Sequence, residues 1–323
     1  MPTTLRDVAL AAGVSRSAVS RTFTPGASVS PSMRARVMAA AEALGYRPSA
    51  IAASLTTGRT KLIGLVATNF ANPVLLEVFD GFTRALQSRG LRPLLVNLRD
   101  DADPADAVAM LRAYLVDGVI VASSTVPRAF ATAFAEAGLP TVHSFGPVTG
   151  TPDVHTVGID NVEAGRIAAR TLRARGYAPG MLAGPPGATS TRDRVRGFRE
   201  VCPDGALHYA DAYGFEAGRT AMAAIHGRAE GWFCGDDLLS IGALTALREA
   251  GRRVPDDAGV IGFNDMAMAR WAGIDLTTIR MPVADIISGA VELVTATAEA
   301  PDRAPEARLY PLRLVERGTL RPA

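Results

Sequence analysis

From Leu62 onward the chain alternates between two hydrophobic rhythms. Short, nearly unbroken apolar runs read as strands: LIGLVAT, RPLLVN, GVIVAS and PTVHSF in a first series, then HTVGI, GMLAG, ALHYA, GWFCG and AGVIGF in a second. Between them apolar residues recur every three or four positions. That spacing predicts helices at about 73–89, 103–116 and 127–137, and then at about 161–175, 190–201, 215–227, 237–250 and 283–299. Apolar strands without alternation, joined by helices, predict parallel sheets covered on both faces, and two such series predict two similar doubly wound lobes.

Before Leu62 the rhythm is helical throughout. Leu5, Val8, Ala9 and Ala12 share one helix face, Gly13 suits a left-handed C-terminal cap, and Ser15 can cap a second helix that turns Ala18, Val19 and Phe23 inward. Ser30-Pro31 gives an N-cap and a first-turn proline to a third helix that ends at Gly45. Pro48 then opens a connector in which SAIAASL is long enough for a short helix. Two helices joined at Gly13–Val14, the second opening Ser15-Arg16-Ser17, have the dimensions of a helix-turn-helix. The expected division is a helix-turn-helix domain at 1–47, a connector with a short helix at 48–60, and a two-lobed α/β domain at 61–323. Within that domain the N-lobe takes about 61–159 and 281–308, and the C-lobe about 160–280 and 309–323.

Charge sharpens this picture. The net charge of the 323 residues is only +2, yet residues 1–60 hold seven arginines against Asp7 and Glu42, a surplus of five. The rest of the chain is therefore near −3, and a basic head on a mildly acidic body points to a polyanion partner at one end only. No run of about 18 uncharged apolar residues occurs and no secretory signal opens the chain, so a cytoplasmic, nucleoid-associated protein without membrane partner is expected. Cys202 and Cys234 lack CxxC or histidine spacing, which argues against a disulfide framework, a zinc site or any other metal or cofactor.

The second helix exposes Arg16, Ser17, Ser20 and Arg21, residue types that read guanine edges and hold phosphates. The same order of phrases continues far beyond it. TLRDVALAAGVSRSAVSRTF, VSPSMRARVMAAAEALGYRPS, AIAASLTTGRTKLIGLV, VDGVIVAS, VGIDNVEAG, RVRGF and VIGFND together resemble the lactose-repressor (LacI/GalR) family of bacterial transcription regulators. The resemblance implies a helix-turn-helix domain followed by an α/β body of periplasmic-binding-protein type, and it assigns DNA binding to 1–47, a hinge helix and linker to 48–60, and effector binding with dimerisation to 61–323. It further implies that Arg16, Ser17 and Arg21 face bases, that Thr4, Ser15 and Ser20 contact phosphates with Leu5 beside them, and that Ser49 to Thr56 form a hinge helix. In that helix Ser49 and Ala52 would lie on DNA and Leu55 would wedge into the minor groove, where unstacking one step costs a few kcal/mol and bends the duplex. Met33, Thr24 and Ser49 depart from the residues usual at those places.

The resemblance also implies a ligand in the cleft between the lobes, at the carboxyl ends of the strands. Thr68, Asn69, Phe70, Val74 and Leu75 would face it from the first lobe, Arg194, Tyr213, Asp237 and Asn264 from the second, with Met281 at the last crossover and Val283 just beyond. Asp160 reads as the cap of the helix at Asn161, and Asp236 and Asp237 could equally cap LLSIGALTAL. A neutral sugar is the first expectation. Because Asn264 stands where relatives often carry Asp, Arg194 would be unopposed there, which makes an acidic or phosphorylated ligand the alternative.

An enzyme is the main competing reading for doubly wound lobes. No GxGxxG follows a strand, no phosphate-loop lysine motif or GxSxG elbow occurs, and the four histidines are widely spaced without a nearby nucleophile. A free-standing sugar-binding protein would need an export signal and would have no use for a basic head. The resemblance instead implies a regulator, expected to be a repressor, that binds a palindromic operator as a homodimer and responds to a small molecule, and no leucine heptads follow the last strand to build a tetramer.

Overall fold

A computed structural model of the chain describes residues 3–24, 26–48, 54, 58–68, 70, 72–99, 101–146 and 152–322. They form two compact units, divided between Thr60 and Lys61.

The first unit holds three helices, α1 (Leu5–Ala12), α2 (Arg16–Phe23) and α3 (Pro31–Ala43). Thr4 and Asp7 close a capping box on α1, and Gly13 ends it in the left-handed region at φ 63°. Ser15 and Ser30 cap α2 and α3 by accepting the Ala18 and Met33 amides. A small core of Val8, Ala9, Ala12, Val19, Val37 and Ala41 is flanked by Leu5, Phe23, Met33 and Tyr46. Met33 thus serves packing, which accounts for an apolar residue at that position. Arg34 donates to the Thr22 carbonyl at 2.9 Å and ties α3 to α2.

The second unit contains two six-stranded sheets. The first is built from β1 (Leu62–Ala67), β2 (Arg92–Asn97), β3 (Gly118–Val121), β4 (Thr141–Ser144), β5 (His155–Gly158) and β11 (Ala307–Leu309), in the order β11-β5-β4-β3-β1-β2. The second uses β6 (Pro179–Ala183), β7 (Ala206–Tyr209), β8 (Gly231–Cys234), β9 (Gly259–Asn264), β10 (Thr277–Arg280) and β12 (Arg313–Val315), in the order β12-β10-β9-β8-β6-β7. All pairs are parallel except β10–β12. The two sheets repeat one plan, as the two apolar series predict.

Three details differ from the sequence reading. HTVGI, which the rhythm groups with the second series, pairs with β4 in the first sheet. Strands β10, β11 and β12 are not anticipated, because runs of three or four residues carry little periodic signal. Leu309 pairs with Gly158 and so belongs to the first lobe rather than the second. The chain consequently passes between lobes three times, after β5, after β10, and between β11 and β12.

Among the described residues no helix is long and apolar enough to cross a membrane, and no group of three or more potential ligands could hold a metal ion. Both cysteines are free and buried.

Candidate functional site

On α2 the side chains of Arg16, Ser17 and Arg21 are exposed, and Ser20 is half-buried. The Ser15 hydroxyl accepts the Ala18 amide at 3.2 Å and lies 2.9 Å from the Ser17 hydroxyl, while the Arg21 Nε reaches back toward the Ser17 carbonyl at 3.5 Å. Thr4 is exposed but bound to Asp7, and Leu5 is half-buried against the head core. Ala18 and Val19, on the opposite side of α2, are buried. The helix thus turns its apolar side to the core and its guanidinium and hydroxyl side to solvent. Ser49, Ala52 and Leu55 lie outside the described residues.

A second constellation lies in the body, at the carboxyl ends of strands from both sheets. A cavity of about 90 Å³ is lined by Thr68, Asn72, Val74, Leu75 and Ser123–Thr125 from the first lobe and by Asn161, Arg194, Tyr213, Asp236 and Asn264 from the second, with Met281 at a crossover. It meets a wider mouth of about 1040 Å³ through shared residues Thr68, Thr125 and Tyr213.

Local structure positions each polar group. Asn72 caps the helix Pro73–Ser88 by accepting the Val74 amide, which fixes Val74 and Leu75 at the first turn facing the cavity. After β3 the hydroxyls of Ser123, Thr125 and Thr68 link in steps of 2.7 Å. Asp160 accepts the Val162 and Glu163 amides, so it caps the helix Asn161–Ala174 and leaves its neighbour Asn161 to face inward.

Arg194 sits on the helix Thr189–Val201, packed closely against Asn161–Ala174. Two glycines permit that contact: a Cβ at Gly165 would stand 2.1 Å from the Arg194 carbonyl oxygen, and one at Gly197 would stand 1.8 Å from that of Val162. The approach brings the Arg194 Nε within 2.9 Å of the Asn161 Oδ1, its Nη1 onto the Gly235 carbonyl, and its plane 3.8 Å above the Phe263 ring centroid. Burial pulls the guanidinium below its ordinary value, and the nearby Tyr213, Asp236 and Asp193 oppose that shift. Arg194 is thus neither free nor unopposed, which corrects the premise for an acidic ligand.

Asp236 is the group that the sequence undervalues. It caps the helix Asp237–Glu249 through Oδ1, which accepts the Leu239 amide at 2.8 Å, while its buried Oδ2 has no hydrogen-bond partner. Burial pushes its carboxyl up to about 6, against the Leu239 amide, Arg194, the Asn72 side chain and the Leu238 amide, which favour the ionised form.

Asp237, the acid assigned to the ligand from sequence, stands outside the cavity lining. It is fully buried, accepts the Met266 amide at 2.7 Å and the Thr278 hydroxyl at 2.6 Å, and so joins its helix to β10 and the loop after β9. Burial pushes it up to about 7. The exchange follows from what each acid meets: Asp237 is committed to the Met266 amide and the Thr278 hydroxyl, whereas Asp236, the N-cap in extended backbone, lies at the cavity wall.

The other assigned residues divide as follows. Thr68, Val74, Leu75, Arg194, Tyr213, Asn264 and Met281 line the cavity, Phe70 lines only the mouth, and Asn69 lies outside the described residues. Phe70 packs on Phe79 with centroids 4.8 Å apart. Tyr213 bonds the Thr191 hydroxyl at 2.7 Å and packs on Gly184, where a Cβ would come within 2.3 Å of its ring. Asn264 holds φ 116° and the next residue, Asp265, φ 60°. Asp265 is clamped by Arg280 and Arg317, which offsets the backbone strain of that turn. Sequence reasoning missed Asn72, Asn161 and Ser123–Thr125. Applying the strand-end rule to β3 would have found the hydroxyl group there.

Comparison with known proteins now bears on both sites. Residues 4–49 match the description "Bacterial regulatory proteins, lacI family". Residues 60–212 match "Periplasmic binding proteins and sugar binding domain of LacI family", and 169–320 match "Periplasmic binding protein-like domain". The HTH-type transcriptional regulator CelR of Thermobifida fusca is 33% identical over 296 residues, covering 86% of this chain and 87% of that protein. The chain belongs to the LacI family. The HTH-type transcriptional repressor PurR of Proteus mirabilis is 32% identical, covering 86% of this chain and 85% of its own length. Among solved structures, a transcriptional regulator CelR–cellobiose complex aligns at TM-score 0.72 and 27% identity, covering 98% of this chain and 99% of the other. A Lac repressor dimer bound to operator and an anti-inducer shares the fold at TM-score 0.87 and 23% identity, with 99% of each chain covered. This LacI-family protein is a transcription regulator with a sugar-binding type of body, not an enzyme.

Proposed function

We propose that this LacI-family protein is a repressor that binds a palindromic operator as a homodimer and is controlled by a small, sugar-like molecule in the inter-lobe cavity. The observation that carries the reading is the cavity itself. Apolar side chains of Val74, Leu75 and Phe145 face a polar set of Asn161, Arg194, Asp236 and Asn264, the amphipathic lining that a sugar ring requires. The CelR relative is in complex with cellobiose, which favours a sugar.

Size adds a constraint. The inner cavity is smaller than the roughly 300–1,000 Å³ of usual ligand sites, so an occupant larger than one ring extends into the mouth or moves the lobes apart. A ligand that prefers one lobe arrangement shifts the population toward it, and a coupling of about 1–3 kcal/mol changes operator affinity roughly 5- to 150-fold. Leu76 and Leu95, exposed on a helix and on the edge strand β2, offer apolar surface for a two-fold contact. Residues 49–56 are proposed as the hinge helix, with Leu55 as its minor-groove wedge.

The test is selection of duplexes from a random pool by the purified protein, then titration of the winner with sugars and sugar phosphates. A palindrome with half-sites about one helical turn apart, and one sugar that shifts the titration, are expected. No enrichment at low salt would overturn the DNA reading.

A further inference from the structure

At the end of β10 four arginines gather around one acid. Asp265 follows Asn264 at the end of β9, both at positive φ, and its carboxylate is buried. Two arginines satisfy it: Arg280 gives Nε to Oδ2 at 2.6 Å and Nη2 to the same oxygen at 2.5 Å, and Arg317 gives Nη2 to Oδ1 at 2.5 Å. Arg317 also donates to the Leu276 carbonyl. Arg270, exposed at the end of the short turn Ala267–Arg270, adds only a long contact to Oδ2 at 3.4 Å. The fourth, Arg313, stands on the edge strand β12 directly opposite Arg280 in the antiparallel pair. Residues so opposed hold their Cβ atoms about 4.5–5.5 Å apart on one face of the sheet, and like charges there repel. Arg313 is exposed and makes no ion pair among the described residues, and Asp265 is the one acid that pairs with any of the other three. Four guanidinium groups thus share a single carboxylate, and holding that carboxylate needs only two of them.

We infer that Arg270, Arg280, Arg313 and Arg317 form a binding site for a phosphate dianion, free or carried by a small ester, at the β10–β12 edge of the second sheet. None of the four lines the cavity between the lobes or its mouth, so the site is separate from both. A guanidinium presents a planar fork that matches phosphate oxygens, and a dianion brings two charges to the surplus where a carboxylate brings one. Asp265 does not repel the ligand, because Arg280 and Arg317 already neutralise it. Those two arginines are held in place before binding by Asp265 and the Leu276 carbonyl, so ordering them costs little. Arg270 and Arg313 supply the exposed arms. A phosphate bound among them turns the repulsion between Arg280 and Arg313 into two attractions.

The test uses full-length protein freed of phosphate and sulfate, titrated with inorganic phosphate and with glycerol 3-phosphate at constant ionic strength, sodium chloride making up the balance. Isothermal titration and thermal unfolding are read for wild type, Arg313→Ser, Arg270→Ser and the double variant. Wild type should bind at least one of the two anions and melt higher in its presence. Each single substitution should weaken that binding about 10-fold, and the double variant should lose it. In phosphate-free buffer Arg313→Ser should melt no lower than wild type, because it relieves the cross-strand repulsion; a structural contact at Arg313 would give the opposite sign. Binding of inorganic phosphate alone supports a site for the free ion, and binding of both anions supports a site for a phosphate ester. Wild-type affinity in the double variant puts the anion elsewhere, on the head or at Arg194, and overturns the site. A melting shift that sodium chloride reproduces by itself, with no heat of binding, overturns it as well. None of these outcomes depends on what occupies the inter-lobe cavity.

Discussion

The arginines of the head and the arginine of the cavity use one functional group in opposite ways. Arg16 and Arg21 stand on an exposed helix face, where the proposed partner is operator DNA. Arg194 is buried and already committed to Asn161, Gly235 and Phe263 before any ligand arrives. Exposed guanidinium groups act through counterion release and groove contacts, so they depend on salt. A buried one acts through fixed geometry and depends on the packing that holds it. One composition rule, arginine in nearly every cationic position, thus yields two chemistries that environment alone separates.

Salt should separate them most strongly. Operator binding by a dimer that neutralises on the order of six phosphates should fall about a thousandfold between 50 and 200 mM salt, whereas sugar affinity measured in the same buffers should stay nearly constant. A comparable salt dependence of both would break the contrast.

The next effect concerns the packing beneath Arg194. Gly197→Ala places a Cβ 1.8 Å from the Val162 carbonyl oxygen, so the two helices must separate. The body should lose about 3 kcal/mol or more of stability and its ligand response together, read by urea unfolding through the buried Trp232 and by sugar titration.

Acid should act on the body through His143, which burial holds down to about 4 and whose ring bonds the Ser123 carbonyl. Its depressed folded value means that stability is fully present above the unfolded value of about 6.5 and is lost as pH falls toward 4, by roughly 3 kcal/mol. Asp236, raised to about 6, has the opposite sign: its contribution is present below the unfolded carboxylate range and is lost as pH rises through 6. His143→Asn should flatten the loss between pH 6.5 and 4 in thermal unfolding, and an unchanged slope would remove His143 as the cause.

The smallest expected effect is at the operator. Arg16→Ala should weaken the selected site by about 1–3 kcal/mol and change which base is preferred at one position. A uniform loss across all sequences would instead place Arg16 on a phosphate.

Much of this was legible along the chain because its signals are local. Caps at Ser15, Ser30 and Asp160 and the left-handed turn at Gly13 depend on neighbours two to four residues away, and those neighbours are written beside them. The alternation of apolar runs with helical periods likewise pointed to two doubly wound lobes and to the strand ends that hold Thr68, Tyr213 and Asn264 near one cleft, whereas Arg194, on a helix, was reached through the family resemblance. Only tertiary structure decided between Asp236 and Asp237, since both are acids at one helix start and their difference lies in which neighbour each meets across the fold. The same holds for the company of Arg194. Asn161 lies 33 positions away and is brought near by two glycine contacts between helices, whereas Gly235 lies 41 away and is carried there by the end of β8. Sequence determines what depends on the next turn of chain, whereas charge balance in a buried cavity depends on three-dimensional proximity and solvent exclusion, which arise only when the lobes are assembled.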